Sequence, residues 1–207
     1  MKPVLRVVLP AAGAALAMAG GAALVCAGGQ CIVPAVDAAG LSLAHGWRTA
    51  WLDGLAASIT WGGSLFVLVP LALLFAALDA RRRGWKVASF VPFALMASAA
   101  LAHLAKVAVS RPRPELFPPL TTMPADASFP SAHAMQVTAL VLAYLLRPGA
   151  RPGLVAWLAG GALVSLVGLS RIHLQVHFPS DVIVGTLAAA LLVLALRELP
   201  PWRGEAA

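Results

Sequence analysis

The chain has 207 residues, of which 60% are hydrophobic and only 11% are charged, and its formal net charge is +7. Soluble domains average about 25% charged residues, so this composition excludes an ordinary soluble protein, and long apolar runs are typical of transmembrane helices. We predict an all-α polytopic membrane helix bundle that forms a single domain over 1–207. The positive charge is arranged as membrane topology requires, so it does not indicate a nucleic acid partner.

Six apolar segments are predicted to cross the bilayer. In chain order they cover 7–28, 55–78, 87–109, 132–146, 154–170 and 181–197. The last three are shorter than the ~20 residues that span a bilayer core, a difference that local thinning of the bilayer can accommodate. The first is expected to be a retained anchor, because its apolar run is longer than the roughly 7–15 residues of a signal-peptide core.

The basic residues predict the orientation of these segments. Ten of the fifteen Lys and Arg residues lie on one face: Lys2, Arg6, Arg81, Arg82, Arg83, Lys86, Arg147, Arg151, Arg197 and Arg203. The positive-inside rule places this face and both termini in the cytoplasm. Segments 29–54, 110–131 and 171–180 then lie on the extracytoplasmic side. For Cys26 and Cys31, near that side, a disulfide and two free thiols are both open alternatives.

A first motif, "KVAVSRPRP" at 106–114, contains several cations at the outer end of the third segment. Lys106 lies near the end of the helix, and Arg113 follows in a segment whose prolines end the helix. An arginine fork and a lysine ammonium together are suited to bind a phosphate. The alternative is a basic flank whose side chains reach lipid headgroups.

A second motif, "FPSAHAMQ" at 129–136, marks the start of the fourth segment. Pro130 and Ser131 are favourable residues for a helix start. The free N–H groups of the first helical turn attract anions, and His133 lies beside that turn. The alternative is an ordinary capped helix start with an incidental histidine.

A third motif, "SRIHLQVHFPSD" at 170–181, concentrates titratable residues in apolar surroundings. Ser170 and Arg171 end the fifth segment, and Pro179 begins the sixth. If the turn is helical, His177 and Asp181 share one face. The carboxylate can then hold one imidazole nitrogen and leave the other free as a nucleophile or base. A purely structural His–Asp pair is the alternative.

The three motifs are predicted to meet on one face of the membrane. A cationic pocket that contains a His–Asp pair and a second histidine is suited to phosphoryl transfer. Asp181 is the only acid within the three motifs, so we expect no metal site and no cofactor. The cations would neutralise phosphate charge in place of a metal ion.

The ordered pattern K-x6-RP, PSxH and SR-x5-H-x3-D resembles the type 2 phosphatidic acid phosphatase superfamily. The resemblance implies that His177 attacks phosphorus and forms a phosphohistidine, and that Asp181 orients His177. It implies that His133 protonates the departing oxygen and then activates water. It also implies a set of phosphate contacts: Lys106, Arg113, Arg171, Ser131, Ala132 and Ser170.

The sequence departs from the family pattern at one position. Ala132 stands where the family usually has glycine, which narrows the pocket and removes the freedom of positive φ. The family spacing selects Arg113 from the "RPRP" sequence and leaves Arg111 as a contact to a headgroup or a second phosphate. His173 lies outside the fixed positions and is a candidate for the pocket rim.

The resemblance implies a lipid phosphatase of the cell membrane with its active site on the extracytoplasmic face. Its candidate substrates are undecaprenyl pyrophosphate, slightly preferred, then phosphatidylglycerol phosphate, phosphatidic acid and lipid A phosphate. One alternative is a lipid phosphotransferase that uses the same site. Another is a non-catalytic protein that binds or transports lipid phosphates. The sequence makes no prediction of the oligomeric state.

Overall fold

A computed structural model describes residues 3–200 and 202–203 and confirms that the chain is mainly helical. The α-helices are α1 (Pro3–Val25), α2 (Ala35–Gly46), α3 (Ala50–Ile59), α4 (Leu65–Arg83), α5 (Trp85–Ala88), α6 (Phe90–Val109), α7 (Ala132–Leu146), α8 (Leu154–His173) and α9 (Pro179–Arg197). A 3₁₀ helix at Thr60–Gly63 connects α3 to α4.

Within the described residues, four stretches are long and apolar enough to cross a membrane: Val4–Val25, Trp85–Val109, Leu154–His173 and Pro179–Arg197. A fifth is available if the bent pair Ala50–Gly63 and Leu65–Arg83 counts as one span. The chain therefore forms a multi-pass membrane protein. The helix α7 is apolar but shorter, so six spans and cytoplasmic termini remain predictions. Lys2, which contributed to the predicted orientation, lies outside the described residues.

The predicted segment 55–78 is not one straight helix. Its two helical parts meet at an angle of 46°. The break is at Ser64, whose backbone is extended and whose Oγ accepts a hydrogen bond from Phe66 N at 3.3 Å. Gly63, just before the break, packs so closely on α7 that an added Cβ would lie 2.8 Å from the Cβ of His133. The bend therefore brings the start of α4 close to the start of α7.

The helix α7 lies at the centre of the bundle and packs against α4, α6, α8 and α9. Leu140 and Ala143 on this helix belong to the largest buried apolar cluster. Gly185 allows α9 to approach closely, since a Cβ there would lie 3.2 Å from the carbonyl oxygen of Ser131. Small residues at helix contacts have this effect in membrane bundles. The first turns of α7 and α9 are consequently neighbours.

A short hairpin follows α1. Its two strands, β1 (Cys26–Ala27) and β2 (Gln30–Cys31), pair antiparallel, and Gly28 and Gly29 at the turn both have positive φ. Cys26 and Cys31 form a disulfide across the hairpin. Of the two alternatives left open by the sequence, the structure contains the disulfide. The hairpin turns the chain back toward α2.

Candidate active site

The three motifs converge on one cavity of about 250 Å³. Its lining residues come from the start of α4, the end of α6, the segment before α7, the start of α7, the end of α8 and the α8–α9 turn. They are Ser64, Leu65, Phe66, Lys106, Arg113, Pro124, Asp126, Ala132, His133, Gln136, Arg171 and His177. Both histidines and three of the predicted cations therefore line a single cavity, which we call the phosphate pocket.

His177 lies in the turn between α8 and α9 and is 2% exposed. Its Nδ1 is 3.4 Å from Oδ2 of Asp181, which stands in the first turn of α9. Oδ2 of Asp181 also accepts hydrogen bonds from Phe178 N at 3.0 Å and Ser128 Oγ at 2.5 Å. The Nε2 atom is therefore the imidazole nitrogen that is free of the carboxylate, and it lies 3.3 Å from Nη1 of Arg113.

Burial lowers the pKa of His177 to about 3. The hydrogen bond and charge of Asp181 raise this pKa, but the positive charges of Arg171 and Arg113 lower it further. A histidine with such a pKa is neutral at physiological pH, since it carries a proton only well below its ordinary range. The neutral ring has an unprotonated nitrogen that can act as a nucleophile.

Lys106 and Arg113 are joined by a carboxylate that the sequence analysis missed. Asp126 lies 3.3 Å from Nζ of Lys106 and 2.6 Å from Nη2 of Arg113, and its side chain is 53% exposed. Burial raises the pKa of Asp126, but the hydrogen bonds and charges of Arg113 and Lys106 outweigh burial and lower the pKa below its ordinary value. The carboxylate is thus ionised, and it pairs with the two cations that we predict to bind phosphate. Asp126 precedes the second motif and stands at no fixed spacing from the motif residues, so nothing in the sequence indicated its role.

Asp126→Asn should improve phosphate binding, because the amide removes a competing negative charge from Lys106 and Arg113. Partly exposed charge pairs contribute about 0.2–1 kcal/mol, so we expect the inhibition constant of vanadate to fall roughly two- to fivefold. Glu115→Gln removes an exposed acid from the same connecting segment and is the matched control. A weaker response to vanadate in Asp126→Asn would instead mean that Asp126 assists phosphate binding.

Arg171 reaches the phosphate pocket from the last turn of α8. Its Nη1 donates a hydrogen bond to Thr60 Oγ1 at 2.7 Å, which fixes the guanidinium against the 3₁₀ helix. Its buried Nε has no hydrogen-bond partner among the described residues. Arg171 therefore has an unused buried donor beside the cavity.

His133 stands in the first turn of α7 and lines the phosphate pocket together with Ala132. The close packing of Gly63 on the backbone of His133 holds this turn in place. Ser131 is placed differently from our expectation. Its backbone N–H donates to the carbonyl oxygen of Asp181 at 3.1 Å, and its buried Oγ, which lacks a partner in the described structure, is not part of the pocket lining. The contact between α7 and α9 thus uses the backbone N–H of Ser131, a residue that we expected to contact phosphate.

Ser170 and His173 are also not brought into the phosphate pocket. The Oγ of Ser170 donates to the carbonyl oxygen of Val167 at 2.7 Å. The Nε2 of His173 lies 2.8 Å from Oδ1 of Asp53 on α3. Both residues line a separate apolar groove of about 450 Å³ between α2, α3 and α8. Because α8 is helical to His173, these side chains point away from the face that carries Arg171.

Arg111 was expected at the rim of the pocket, as a contact to a headgroup or a second phosphate. The structure buries it to 1% exposure behind the His177–Asp181 pair. Its Nη1 donates to Oδ1 of Asp181 at 2.6 Å, and its Nη2 donates to Oδ2 of Asp37 at 2.8 Å. Two buried carboxylates compensate the guanidinium charge, which explains why it is not at the rim.

Comparison with known proteins gives several lipid phosphatases. Decaprenylphosphoryl-5-phosphoribose phosphatase of Mycobacterium tuberculosis is 43% identical over 124 residues, which are 58% of this chain and 64% of that protein. The chain thus matches a little less than two thirds of this relative. Phosphatidylglycerophosphatase B of Bacillus subtilis is 29% identical over 157 residues, 72% of this chain and 76% of the relative.

Solved structures share the fold. The transmembrane PAP2 type phosphatidylglycerolphosphate phosphatase of Bacillus subtilis superposes with a TM-score of 0.75 at 26% identity and covers 90% of this chain and 94% of its own. LpxE of Aquifex aeolicus has a TM-score of 0.66 at 22% identity, over 80% of this chain and 97% of its own. The PAP2 superfamily model matches residues 87–205, more than half of the sequence, and the chain belongs to this superfamily.

Proposed function

We propose that the protein is an integral membrane phosphatase that hydrolyses a phosphate monoester or pyrophosphate on a lipid, at the extracytoplasmic face. The observation that carries the proposal is the His177–Asp181 pair. The free Nε2 of His177 lies 3.3 Å from Nη1 of Arg113, in a cavity that is also lined by Lys106 and Arg171. A neutral imidazole surrounded by cations is suited to attack the electrophilic phosphorus atom of a negatively charged phosphate group. Relatives that are named lipid phosphatases support the same reaction class.

In the first step, Nε2 of His177 attacks phosphorus and forms an N–P bond. The bond between phosphorus and the lipid oxygen breaks, and His133 gives its proton to that oxygen. Arg113, Lys106 and Arg171 stabilise the charge on the other phosphoryl oxygens. Asp181 stabilises the positive imidazole ring that carries the phosphoryl group. The product is a phosphohistidine and a free lipid alcohol, or a lipid monophosphate when the substrate is a pyrophosphate.

In the second step, His133 accepts a proton from water, and the water oxygen attacks phosphorus. The N–P bond breaks, the electron pair returns to Nε2 of His177, and inorganic phosphate leaves. His133 is then protonated for the next cycle, as a group that acts first as acid and then as base must be. Neither step uses a metal ion, because the side chains supply every charge and proton.

The substrate proposed first is undecaprenyl pyrophosphate. Two kinds of relative support a polyprenyl carrier by their names, decaprenylphosphoryl-5-phosphoribose phosphatase and the undecaprenyl-diphosphatase of Sulfolobus acidocaldarius, which is 29% identical over 144 residues. Other relatives are named phosphatidylglycerophosphatase B and lipid A 1-phosphatase. Phosphatidylglycerol phosphate, phosphatidic acid and lipid A phosphate are therefore the alternative substrates.

Phosphate release from purified protein in detergent tests the proposal. Undecaprenyl pyrophosphate, phosphatidylglycerol phosphate, phosphatidic acid and lipid A are supplied in parallel, with and without EDTA. We expect release from at least one lipid, inhibition by vanadate and the same rate with EDTA. Strong inhibition by EDTA would contradict the metal-independent mechanism.

The same assay separates the two other functions. A phosphotransferase would release phosphate slowly from the lipid alone and would consume the lipid only when an alcohol acceptor is added. A non-catalytic lipid-phosphate binding or transport protein would retain labelled lipid without turnover. Either result would overturn the hydrolase proposal.

A further inference from the structure

A buried ionic cluster lies behind the catalytic pair, on the side away from the phosphate pocket. Arg111 is 1% exposed, and both of its carboxylate partners, Asp37 and Asp181, are 0% exposed. The guanidinium spans the two acids with one Nη atom on each, at 2.8 Å and 2.6 Å. Its Cζ also lies 3.9 Å from the ring centroid of Phe178. Three ionised groups buried together at these distances are costly unless all are paired.

Asp37 also binds the first turn of α9. Its Oδ1 accepts the backbone N–H of Ser180 at 2.8 Å, and its Oδ2 accepts the hydroxyl of Ser180 at 2.6 Å. Free N–H groups at a helix start favour a carboxylate of this kind. A residue of α2, far away in sequence, thus holds the turn of α9 that carries Asp181.

The contacts determine how Asp181 faces the nucleophile. Arg111 occupies Oδ1 of Asp181, so the other oxygen, Oδ2, is the one that faces Nδ1 of His177. The contacts also determine the net charge that faces His177. Arg111 alone would neutralise Asp181. Asp37 adds the second negative charge, and the three groups together carry a net charge of −1. The imidazole therefore faces a buried cluster that is still negative.

We propose that Asp37 and Arg111 are positioning residues for the reaction. Arg111 orients the carboxylate of Asp181 toward His177, and Asp37 holds Arg111 and the start of α9 while it keeps the cluster negative. The consequence is that His177 is aligned and its positive phosphohistidine form is stabilised. This inference rests on the proposed function, and it adds a residue from outside the three motifs to the active site.

The test is Asp37→Asn, which preserves shape. Both oxygens of Asp37 accept hydrogen bonds, so an amide must turn its NH₂ group toward either Arg111 or Ser180, and it removes the negative charge. We expect kcat to fall about tenfold or more, because Asp181 and His177 are then less well aligned and the cluster loses its negative charge. We expect KM and the vanadate inhibition constant to stay within about twofold, because Asp37 does not line the phosphate pocket.

Asp79→Asn is the matched control. Asp79 is 8% exposed and lies 3.0 Å from Nε of Arg147, at the opposite end of α4 from the pocket. This variant also breaks a largely buried Asp–Arg pair, whose side chains are 11% and 16% exposed, so its thermal midpoint should fall while kcat is unchanged. If both variants lower the thermal midpoint and neither lowers kcat, Asp37 has only a structural role and the inference is overturned.

A double variant, Arg111→Gln with Asp37→Asn, covers the case in which the single change prevents folding. It removes one positive and one negative charge, so the net charge of the cluster stays at −1. We expect it to fold and to lose more kcat than Asp37→Asn, since Asp181 then lacks its guanidinium. Wild-type kcat in either folded variant would overturn the inference. Failure of the proposed function is a separate result, because the wild-type protein itself would then release no phosphate.

Discussion

His177→Ala should abolish phosphate release, with a loss of kcat of at least about 10⁴-fold. The variant lacks the proposed nucleophile, and no other described side chain in the phosphate pocket is both held by a carboxylate at 3.4 Å and free at its second nitrogen. The measurement is release of labelled phosphate, together with acid- and base-quenched samples. A phosphohistidine should appear in the wild-type protein as an acid-labile, base-stable label, and it should be absent from the variant.

His103→Ala is the control for this change. His103 is an exposed histidine on α6, one turn before Lys106, so its loss should leave turnover unchanged. Vanadate binding by His177→Ala would show in addition that the cationic pocket remains folded. Turnover of His177→Ala at a rate near that of the wild-type protein would remove His177 as the nucleophile and with it the two-step mechanism.

His133→Ala should lower kcat about 10²–10⁴-fold, the range of general acid–base catalysis. The loss arises in both steps, because the lipid oxygen leaves without a proton and water attacks without a base. An aryl phosphate with a good leaving group separates the two contributions. Its first step needs no acid, so the variant should show a burst of released phenol, followed by slow hydrolysis of the accumulated phosphohistidine.

A low burst with the aryl phosphate would contradict this assignment, because it would place the defect of His133→Ala in nucleophilic attack. Wild-type kcat for the lipid substrate would reject the acid role altogether. Gln136 is a suitable control, since it lines the same cavity from the next turn of α7 and cannot exchange a proton near neutral pH. Gln136→Ala should change KM more than kcat.

The site residues with local spacing could be predicted from the sequence. His177 and Asp181 are four positions apart at a helix start, and the structure joins them. Lys106 lies in the last turn of α6, and Arg113 follows that helix. Both side chains line the phosphate pocket. Side chains so near in sequence depend mainly on the backbone between them, and a helix end or a proline-rich segment restricts that backbone strongly.

Two residues of the motifs, Ser170 and Ser131, do not line the phosphate pocket. Ser170 is adjacent to Arg171, yet it binds the carbonyl oxygen of Val167 within its own helix. The Oγ of Ser131 is buried and is not part of the pocket lining. On a helix, neighbouring positions point in different directions. Membership in a motif therefore does not place every residue of the motif in the cavity.

The sequence by itself determined the membrane class, the helical character and the three motifs, because composition, periodicity and short spacing are local properties. Only the tertiary structure decided which acids complete the site. Asp126 reaches Lys106 across 20 positions, and Asp37 reaches Arg111 across 74. A lone aspartate has no periodic signal. Its partner is set by how the chain packs, and for the fully buried Asp37 burial then requires that the opposite charges meet.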